Sequence, residues 1–109
     1  FEKKVSQTLM DQFGGRLRAA ISGGAAINPK VARVFCGLGM PVIQGYGMTE
    51  TSPVIAGNRL DDNQPQTVGL PFTHVEVRLG EDNEIQVRGP SVMKGYWKRP
   101  KATAEALGY

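Results

Sequence analysis

The sequence contains one cysteine, Cys36, and one histidine, His74, among its 109 residues. A single cysteine forms no internal disulfide, and the two side chains together are too few for a structural zinc site. The cysteine count therefore favours a reducing compartment, the cytoplasm. We expect Cys36 to be a small packing group on a helix, and His74 to open a strand in a structural or surface role.

Long apolar runs are also absent, since none approaches the roughly 18 residues of a membrane span. The first segment, FEKKVSQTLMDQF, mixes charges with apolar positions, which excludes a signal peptide, and it has no initiator methionine. At 11.8 kDa the chain is short for an enzyme with two large substrates. We therefore expect a piece of a larger protein without a transmembrane helix.

Lysine is missing from residues 31–93, which excludes a P-loop because that motif needs a lysine after its last glycine. The net charge is +3, yet the basic residues form no dense run interleaved with stacking aromatics, so nucleic acid is not an expected partner. We interpret the basic segment near the end as a solvated loop; it contains Lys94, Lys98, Arg99 and Lys101. The alternative is attraction of an anionic substrate or peripheral contact with a membrane surface.

The start of the chain has an apolar residue at every fourth position, which predicts a helix that packs on a core and ends at Gly14. These positions are Phe1, Val5, Leu9 and Phe13.

Residues 17–47 have the pattern of a strand, a helix and a second, parallel strand. LRAAISGG is a short apolar segment typical of a buried strand, and PVIQ is another. Between them, Asn28 is placed to cap a helix and Pro29 suits its first turn. The apolar stripe of that helix consists of Val31, Val34, Phe35 and Leu38.

Two glycine-containing turns, SGGAA and GYGMTE, follow these two strands. Ligands of open parallel sheets bind beyond the carboxyl ends of the strands, so both turns are expected at one binding edge. Glycine suits such turns because it tolerates positive φ and lets a ligand approach the main chain. The alternative for SGGAA is an ordinary tight turn.

GYGMTE offers the groups that an adenine nucleotide and its metal require. Tyr46 presents a flat ring for a base, Thr49 a hydroxyl for a phosphate oxygen, and Glu50 a carboxylate for Mg²⁺. Glu50 also argues against a dinucleotide fingerprint, because a carboxylate repels a phosphate unless a divalent cation lies between them. The residues alone therefore predict a site for an adenine nucleotide with Mg²⁺.

The second half of the chain is less informative about chemistry. Alternating apolar residues over 74–88 predict a β-hairpin, and KATAEAL predicts the start of a short helix. In the intervening loop, RGPSVMKGYWKRP, we expect Tyr96 and Trp97 to be packing groups rather than a base-stacking platform. We divide the chain into a nucleotide-binding segment, residues 1–73, and a hairpin segment, residues 74–109.

Three stretches carry a family resemblance: SGGAAINPKVARVF, QGYGMTETSPV and TVGLPFTHVEVRLGEDNEIQVRGPSVMKGYWKRPKATAEAL. Together they resemble the adenylate-forming, AMP-binding enzymes, and in particular bacterial long-chain fatty-acid CoA ligases. The resemblance implies an α/β fold, a fragment of the large N-terminal domain, with the hairpin belonging to a small β-barrel subdomain. It also implies an enzyme that joins a fatty acid to AMP, using ATP, and then transfers the acyl group to CoA.

The resemblance implies roles for individual residues as well. Tyr46 would pack on the adenine, Thr49 would bond the α-phosphate as a catalytic residue, and Glu50 would be the catalytic metal ligand. The first turn would lie beside the adenine and the acyl pocket. The whole nucleotide-binding set is Gly23, Gly24, Ala25, Gln44, Gly45, Tyr46, Gly47, Met48 and Thr49.

The sequence departs from the family pattern in three places. Ala26 stands where a proline is common in the family. Asn83 stands where the family often has glycine, and Gly108 and Tyr109 follow Leu107 directly, where family members carry a few more residues. The sequence also lacks the family's phosphate loop, ribose-binding aspartate, hinge and catalytic lysine. We therefore expect the 109-residue piece to be inactive alone and, with uncovered strand edges, to self-associate.

Two alternatives to the fatty-acid ligase stay open on the sequence alone. One is another adenylate-forming enzyme that activates an amino acid or a short acid. The other is a non-catalytic nucleotide-binding or interaction module built on the same fold.

Overall fold

The computed structural model describes residues 1–108. The described part contains three α-helices and six β-strands. The helices are α1, Glu2–Gln12; α2, Pro29–Gly37; and α3, Pro100–Leu107. The strands are β1, Ala20–Ser22; β2, Val42–Gly47; β3, Val54–Gly57; β4, Leu70–Pro71; β5, Glu76–Leu79; and β6, Ile85–Arg88. The α/β fold class is confirmed. Tyr109 lies outside the described residues, and so does the part of the chain-end prediction that concerns it.

The larger sheet has the strand order β1-β2-β3-β4. β1 and β2 are parallel and joined by α2, as predicted, with Ala20 opposite Val42 and Ser22 opposite Gln44. β3 then pairs antiparallel with β2, and β4 pairs antiparallel with β3. The sheet is therefore mixed: the predicted parallel pair is present, and β3 and β4 add two antiparallel strands that the sequence analysis did not predict. Strands of four and two residues are too short to show a periodic pattern.

The predicted hairpin is present as β5 and β6, with Val77 opposite Val87 and Leu79 opposite Ile85. Asp82 and Asn83, in the turn between them, have φ values of 53° and 61°. Glycine adopts this left-handed conformation freely, and asparagine tolerates it better than most other residues. Asn83 therefore suits a position where glycine was expected. His74 does not open β5 as expected; it lies in the preceding turn with φ 69°. Residues 1–108 form no closed barrel.

α2 begins as its sequence predicts, because the side chain of Asn28 accepts a hydrogen bond from the Lys30 amide at 2.9 Å. Its packing differs from the predicted stripe: Ala32 is the buried residue, while Val31 and Val34 are exposed. Cys36 is half-buried, and the side-chain amide of Asn63 lies 3.7 Å from its sulfur.

α1 ends near Gly14, as predicted, but none of its residues is buried. It contacts the end of α2 through a hydrogen bond from the Ser6 hydroxyl to the Leu38 carbonyl. The expectation that its apolar stripe packs on a core was wrong for the described residues, because Phe1 and Phe13 are exposed.

The core is small and lies around the β2–β3 pair. Its buried apolar residues are Ala32, Met40, Val42, Ile55 and Ala56. The radius of gyration is 17.8 Å, against roughly 13 Å for a compact domain of this length. Much apolar surface is therefore uncovered, including Ile21 on β1, which is 82% exposed and not buried as predicted. No helix within residues 1–108 is long and apolar enough to cross a bilayer.

Candidate functional site

The two glycine-containing turns lie together at one end of the parallel pair. The first turn, residues 23–25, follows β1, and the second turn, residues 45–50, forms the end of β2 and the residues after it. A β-carbon built on Gly23 would lie 3.8 Å from the carbonyl oxygen of Gly45, so the turns are in van der Waals range. The structure thus brings the predicted site residues to one sheet edge.

The glycines of the two turns serve different purposes. Gly24 has φ +84° and open space around it, so its backbone conformation is what favours glycine. At position 47 it is packing that favours glycine, because a β-carbon there would lie 1.9 Å from the carbonyl oxygen of Pro53. The protein's own backbone, and not a ligand, makes that close approach. Sequence reasoning did not separate these two cases.

Gln44 is 6% exposed and connects the first turn to the opposite loop. Its side-chain oxygen accepts a hydrogen bond from the Ile27 amide at 2.8 Å, and its side-chain nitrogen donates to the Thr67 carbonyl at 2.9 Å. The buried Asn58 donates to the same carbonyl at 2.8 Å. Gln44 therefore fixes the chain at Ile27, two residues after the first turn, and a direct contact with a nucleotide stays a prediction.

Thr51, which sequence reasoning missed, shapes the second turn. It is 4% exposed, and its hydroxyl lies 2.9 Å from the carbonyl of Met48 and 2.7 Å from that of Pro53. The same hydroxyl accepts a hydrogen bond from the Met48 amide at 3.2 Å. A threonine two residues after Thr49 was a visible signal, because a buried hydroxyl commonly bonds nearby backbone in such turns.

Thr51 and Gly47 together leave Thr49 on the outside of the turn. Thr49 begins a one-turn 3₁₀ helix, Thr49–Thr51, and is exposed. Its hydroxyl has no hydrogen-bond partner among the residues that the structure describes. Tyr46 on β2 is half-buried, and Met48 is 42% exposed. The turn therefore presents a free hydroxyl three residues after the ring that was predicted to bind adenine.

Glu50 is joined to the loop before α3 by two hydrogen bonds. The Tyr96 hydroxyl donates to Glu50 Oε1 at 2.6 Å, and the Met93 amide donates to the Glu50 carbonyl at 2.8 Å. The hydrogen bond from Tyr96, with a smaller contribution from the backbone amide of Glu50 itself, lowers the pKa of the Glu50 carboxyl. The same bond raises the pKa of the Tyr96 hydroxyl. Tyr96 is thus a partner of the predicted metal ligand and not a packing group, while Trp97 is 86% exposed.

The donor set at this edge fits Mg²⁺ in a nucleotide complex better than a metal held by protein alone. Residues 1–108 contain no cluster of three His, Cys, Asp or Glu side chains. Magnesium commonly binds through one or two carboxylates, with phosphates and waters completing the shell. Glu50, ionised and held through one oxygen, matches that pattern.

The structure has two concave surfaces, one lined by α1 residues from Phe1 to Gln12 and the other by residues between Gly57 and Leu70. Neither is lined by Thr49 or Glu50. The second begins at Gly57, which pairs with Gly45 of the second turn.

Comparisons with known proteins match this chain to one family of enzymes. The family model described as AMP-binding enzyme matches residues 2–97. A long-chain fatty-acid CoA ligase of Mycobacterium bovis is 38% identical over 107 residues, which are 98% of this chain and 18% of that protein. A feruloyl-CoA synthase of Amycolatopsis sp is 41% identical over 103 residues, covering 84% of this chain and 21% of that protein.

A solved structure of a malonyl-CoA ligase, with methylmalonyl-CoA and AMP bound, superposes with a TM-score of 0.71 at 33% identity. The match covers 96% of this chain and 26% of that one. This chain therefore spans about a fifth to a quarter of the proteins it matches, and it corresponds to part of their α/β N-terminal domain. On these grounds the chain belongs to the AMP-binding family of adenylate-forming enzymes, with long-chain fatty-acid CoA ligases among its relatives.

Proposed function

We propose that the protein containing this chain is a long-chain fatty-acid CoA ligase. In the first step a carboxylate oxygen of the fatty acid attacks the α-phosphorus of ATP, and the bond to the leaving pyrophosphate breaks. In the second step the thiol sulfur of CoA attacks the acyl carbonyl, loses its proton, and displaces AMP to give the thioester. Relatives named as long-chain fatty-acid CoA ligases support this substrate class.

The observation that carries the proposal is the parallel register of β1 and β2. It places the turn of residues 23–25 against the turn of residues 45–50. An exposed hydroxyl and an ionised carboxylate then project from one sheet edge, where nucleotides bind in such sheets.

Each site residue has a role in this proposal. The first turn, Gly23 to Ala25, forms the wall between adenine and acyl group. Tyr46 packs on the adenine, the Thr49 hydroxyl donates to an α-phosphate oxygen, and Glu50 holds Mg²⁺. The metal, when bound, neutralises charge that grows on the phosphate oxygens during attack.

A second candidate substrate class is an aromatic or short acid. The feruloyl-CoA synthase is 41% identical over 84% of this chain, against 38% over 98% for the Mycobacterium bovis ligase, and the structural neighbours include a malonyl-CoA ligase. The relatives are thus named for different acids, and the experiment below distinguishes them.

The test is ATP–pyrophosphate exchange by the full-length protein with Mg²⁺. The acids offered are a series from acetate to palmitate, with ferulate, malonate and a set of amino acids beside them. Exchange that rises with chain length supports the fatty-acid ligase, and thioester formation on adding CoA completes it. Exchange only with ferulate, malonate, acetate or amino acids contradicts the substrate class. No exchange with any acid favours a non-catalytic nucleotide-binding module.

The remaining expectations concern the isolated chain and its setting. We propose that residues 1–109 alone are inactive and self-associate, because β1 is an edge strand and Ile21 is exposed on it. Light scattering over a wide concentration range tests this, and a constant monomer mass contradicts it. We also propose that the chain divides into a nucleotide-binding segment, residues 1–73, and a hairpin segment, residues 74–109. The proposed location of the protein is the cytoplasm, either free or in peripheral contact with a membrane.

A further inference from the structure

The loop before α3 folds back onto the second turn from far along the chain. Tyr96 and Glu50 are 46 residues apart in sequence, yet the Tyr96 hydroxyl lies 2.6 Å from Glu50 Oε1. The Met93 amide bonds the backbone of the same residue at 2.8 Å. Glu50 is therefore held at its main chain and at its side chain by one loop.

Tyr96 is itself fixed by α3. Its amide donates to the Thr103 hydroxyl oxygen at 2.9 Å, and that hydroxyl donates to the Arg99 carbonyl at 2.8 Å. Gly95 allows this approach, since a β-carbon there would lie 2.7 Å from the Thr103 methyl group. The tyrosine is thus connected to the first turn of a helix and not to a free loop.

The bond from Tyr96 uses one oxygen of the Glu50 carboxylate. The other oxygen, Oε2, makes no hydrogen bond to another residue within the described part of the chain. A carboxylate held through one oxygen presents the second in a restricted set of orientations, which is how partners of metal-binding carboxylates act in proteins.

We propose that Tyr96 is a positioning residue that aims Glu50 Oε2 at the magnesium of the bound nucleotide. The proposal rests on the proposed function, because it takes Glu50 as the metal ligand. It assigns a role in adenylation to the loop of residues 89–99, and through Thr103 to α3. Tyr96 itself touches neither the substrate nor the metal.

The experiment compares Tyr96→Phe with wild type in the full-length protein. The first readout is calorimetric binding of a non-hydrolysable ATP analogue, with and without Mg²⁺. We expect affinity with Mg²⁺ to fall about tenfold, the lower end of the range for partners of metal ligands, because the pair is exposed. Affinity without Mg²⁺ should match wild type. Trp97→Phe, a neighbouring aromatic change at an exposed side chain, is the matched control and should alter neither value.

The second readout is the Mg²⁺ dependence of pyrophosphate exchange. In Tyr96→Phe the Mg²⁺ concentration for half-maximal rate should rise by about the same factor, and the rate at saturating Mg²⁺ should return close to the wild-type value. A structural defect would lower the rate at every Mg²⁺ concentration. Combining Tyr96→Phe with Glu50→Gln tests whether Tyr96 acts through Glu50 or independently of it. If Tyr96 acts through Glu50, the double variant behaves as Glu50→Gln alone.

Three results overturn the proposal: unchanged Mg²⁺-dependent binding in Tyr96→Phe, an equal loss with and without Mg²⁺, or additive losses in the double variant. The failure of the proposed function looks different. In that case the wild-type protein itself shows no acid-dependent exchange, while the binding measurement still decides whether Tyr96 supports metal-dependent nucleotide binding.

Discussion

The two turns at the sheet edge differ in what determines their shape. The first turn, residues 23–25, is exposed, and Gly24 stands at positive φ with no atom within 4 Å of a built β-carbon. The second turn, residues 45–50, is held by the buried Thr51 hydroxyl and by close contact between Gly47 and Pro53. One turn depends on backbone freedom and the other on packing. Thr51 and Gly47, which hold the second turn in shape, are thus distinct from Thr49 and Glu50, the site residues that the turn presents.

Substitution of the two site residues of the second turn should have the largest effect on activity. Thr49→Ala and Glu50→Ala should each reduce the pyrophosphate exchange rate by about 10²–10³-fold, as expected for groups that stabilise charge at the reacting phosphorus. Thr49 is exposed and Glu50 is half-buried, so circular dichroism should stay unchanged in both variants, and only Glu50→Ala, which loses the bond from Tyr96, should melt at a slightly lower temperature. Ser52→Gly is the control, because it removes an adjacent exposed hydroxyl at φ 54° without strain. Wild-type exchange in both alanine variants would refute these roles.

Gly47→Ala tests the packing of the second turn. The new methyl group would meet the Pro53 backbone, which cannot move without displacing Thr51, so we expect a loss of unfolding free energy of about 3 kcal/mol. The matched change in the first turn is Gly23→Ala, where the added methyl meets only an ordinary contact at 3.8 Å. Chemical unfolding of both variants measures the difference. Equal stabilities would show that the second turn is not limited by packing.

Gln44→Met tests the connection between β2 and the first turn. The change keeps the shape of the side chain but removes the acceptor for the Ile27 amide, while the Thr67 carbonyl keeps its bond from Asn58. One unsatisfied amide costs about 2 kcal/mol. We expect amide hydrogen exchange at Ile27 to be faster than in wild type while exchange in β2 stays unchanged, and nucleotide binding to be weaker. Gln66→Met, at an exposed glutamine, is the control, and equal exchange rates in the two variants would contradict the role of Gln44.

Local chemistry explains why part of this fold could be predicted from sequence. The cap at Asn28, Pro29 after it, and the strand, helix, strand order depend on neighbours in the chain, and each was predicted correctly. The turn at Asp82 and Asn83 is local too. Thr49 and Glu50 follow the carboxyl end of β2, where the local pattern places them, while their contacts with a nucleotide and a metal stay predictions.

Contacts between distant segments explain what the sequence did not show. The antiparallel β3 and β4 are too short for a pattern, and they pair because the second turn reverses the chain within a few residues. Tyr96 meets Glu50 across 46 residues, and no spacing rule links them. The apolar stripe of α1 was a valid helix signal, but within residues 1–108 none of the helix residues is buried.

The smallest expected effect is the pH dependence of the Tyr96–Glu50 bond in the absence of metal and nucleotide. The pKa of Glu50 is lowered in the folded state, so its contribution to stability is present above the usual glutamate range, about pH 4, and is lost as the pH falls through the lower folded value. The pKa of Tyr96 is raised, so its contribution is present below about pH 10 and is lost as the pH rises through the higher folded value.

The difference in melting temperature between wild type and Tyr96→Phe should therefore be largest between about pH 4 and about pH 10, and should shrink beyond both limits. The difference should be small throughout, because exposed pairs stabilise folded proteins only slightly. Trp97→Phe should shift the melting temperature by an amount that does not vary with pH. A difference for Tyr96→Phe that is equally independent of pH would mean that the hydrogen bond to Glu50 does not form in solution. The second turn would then be held by Thr51 and Gly47 alone.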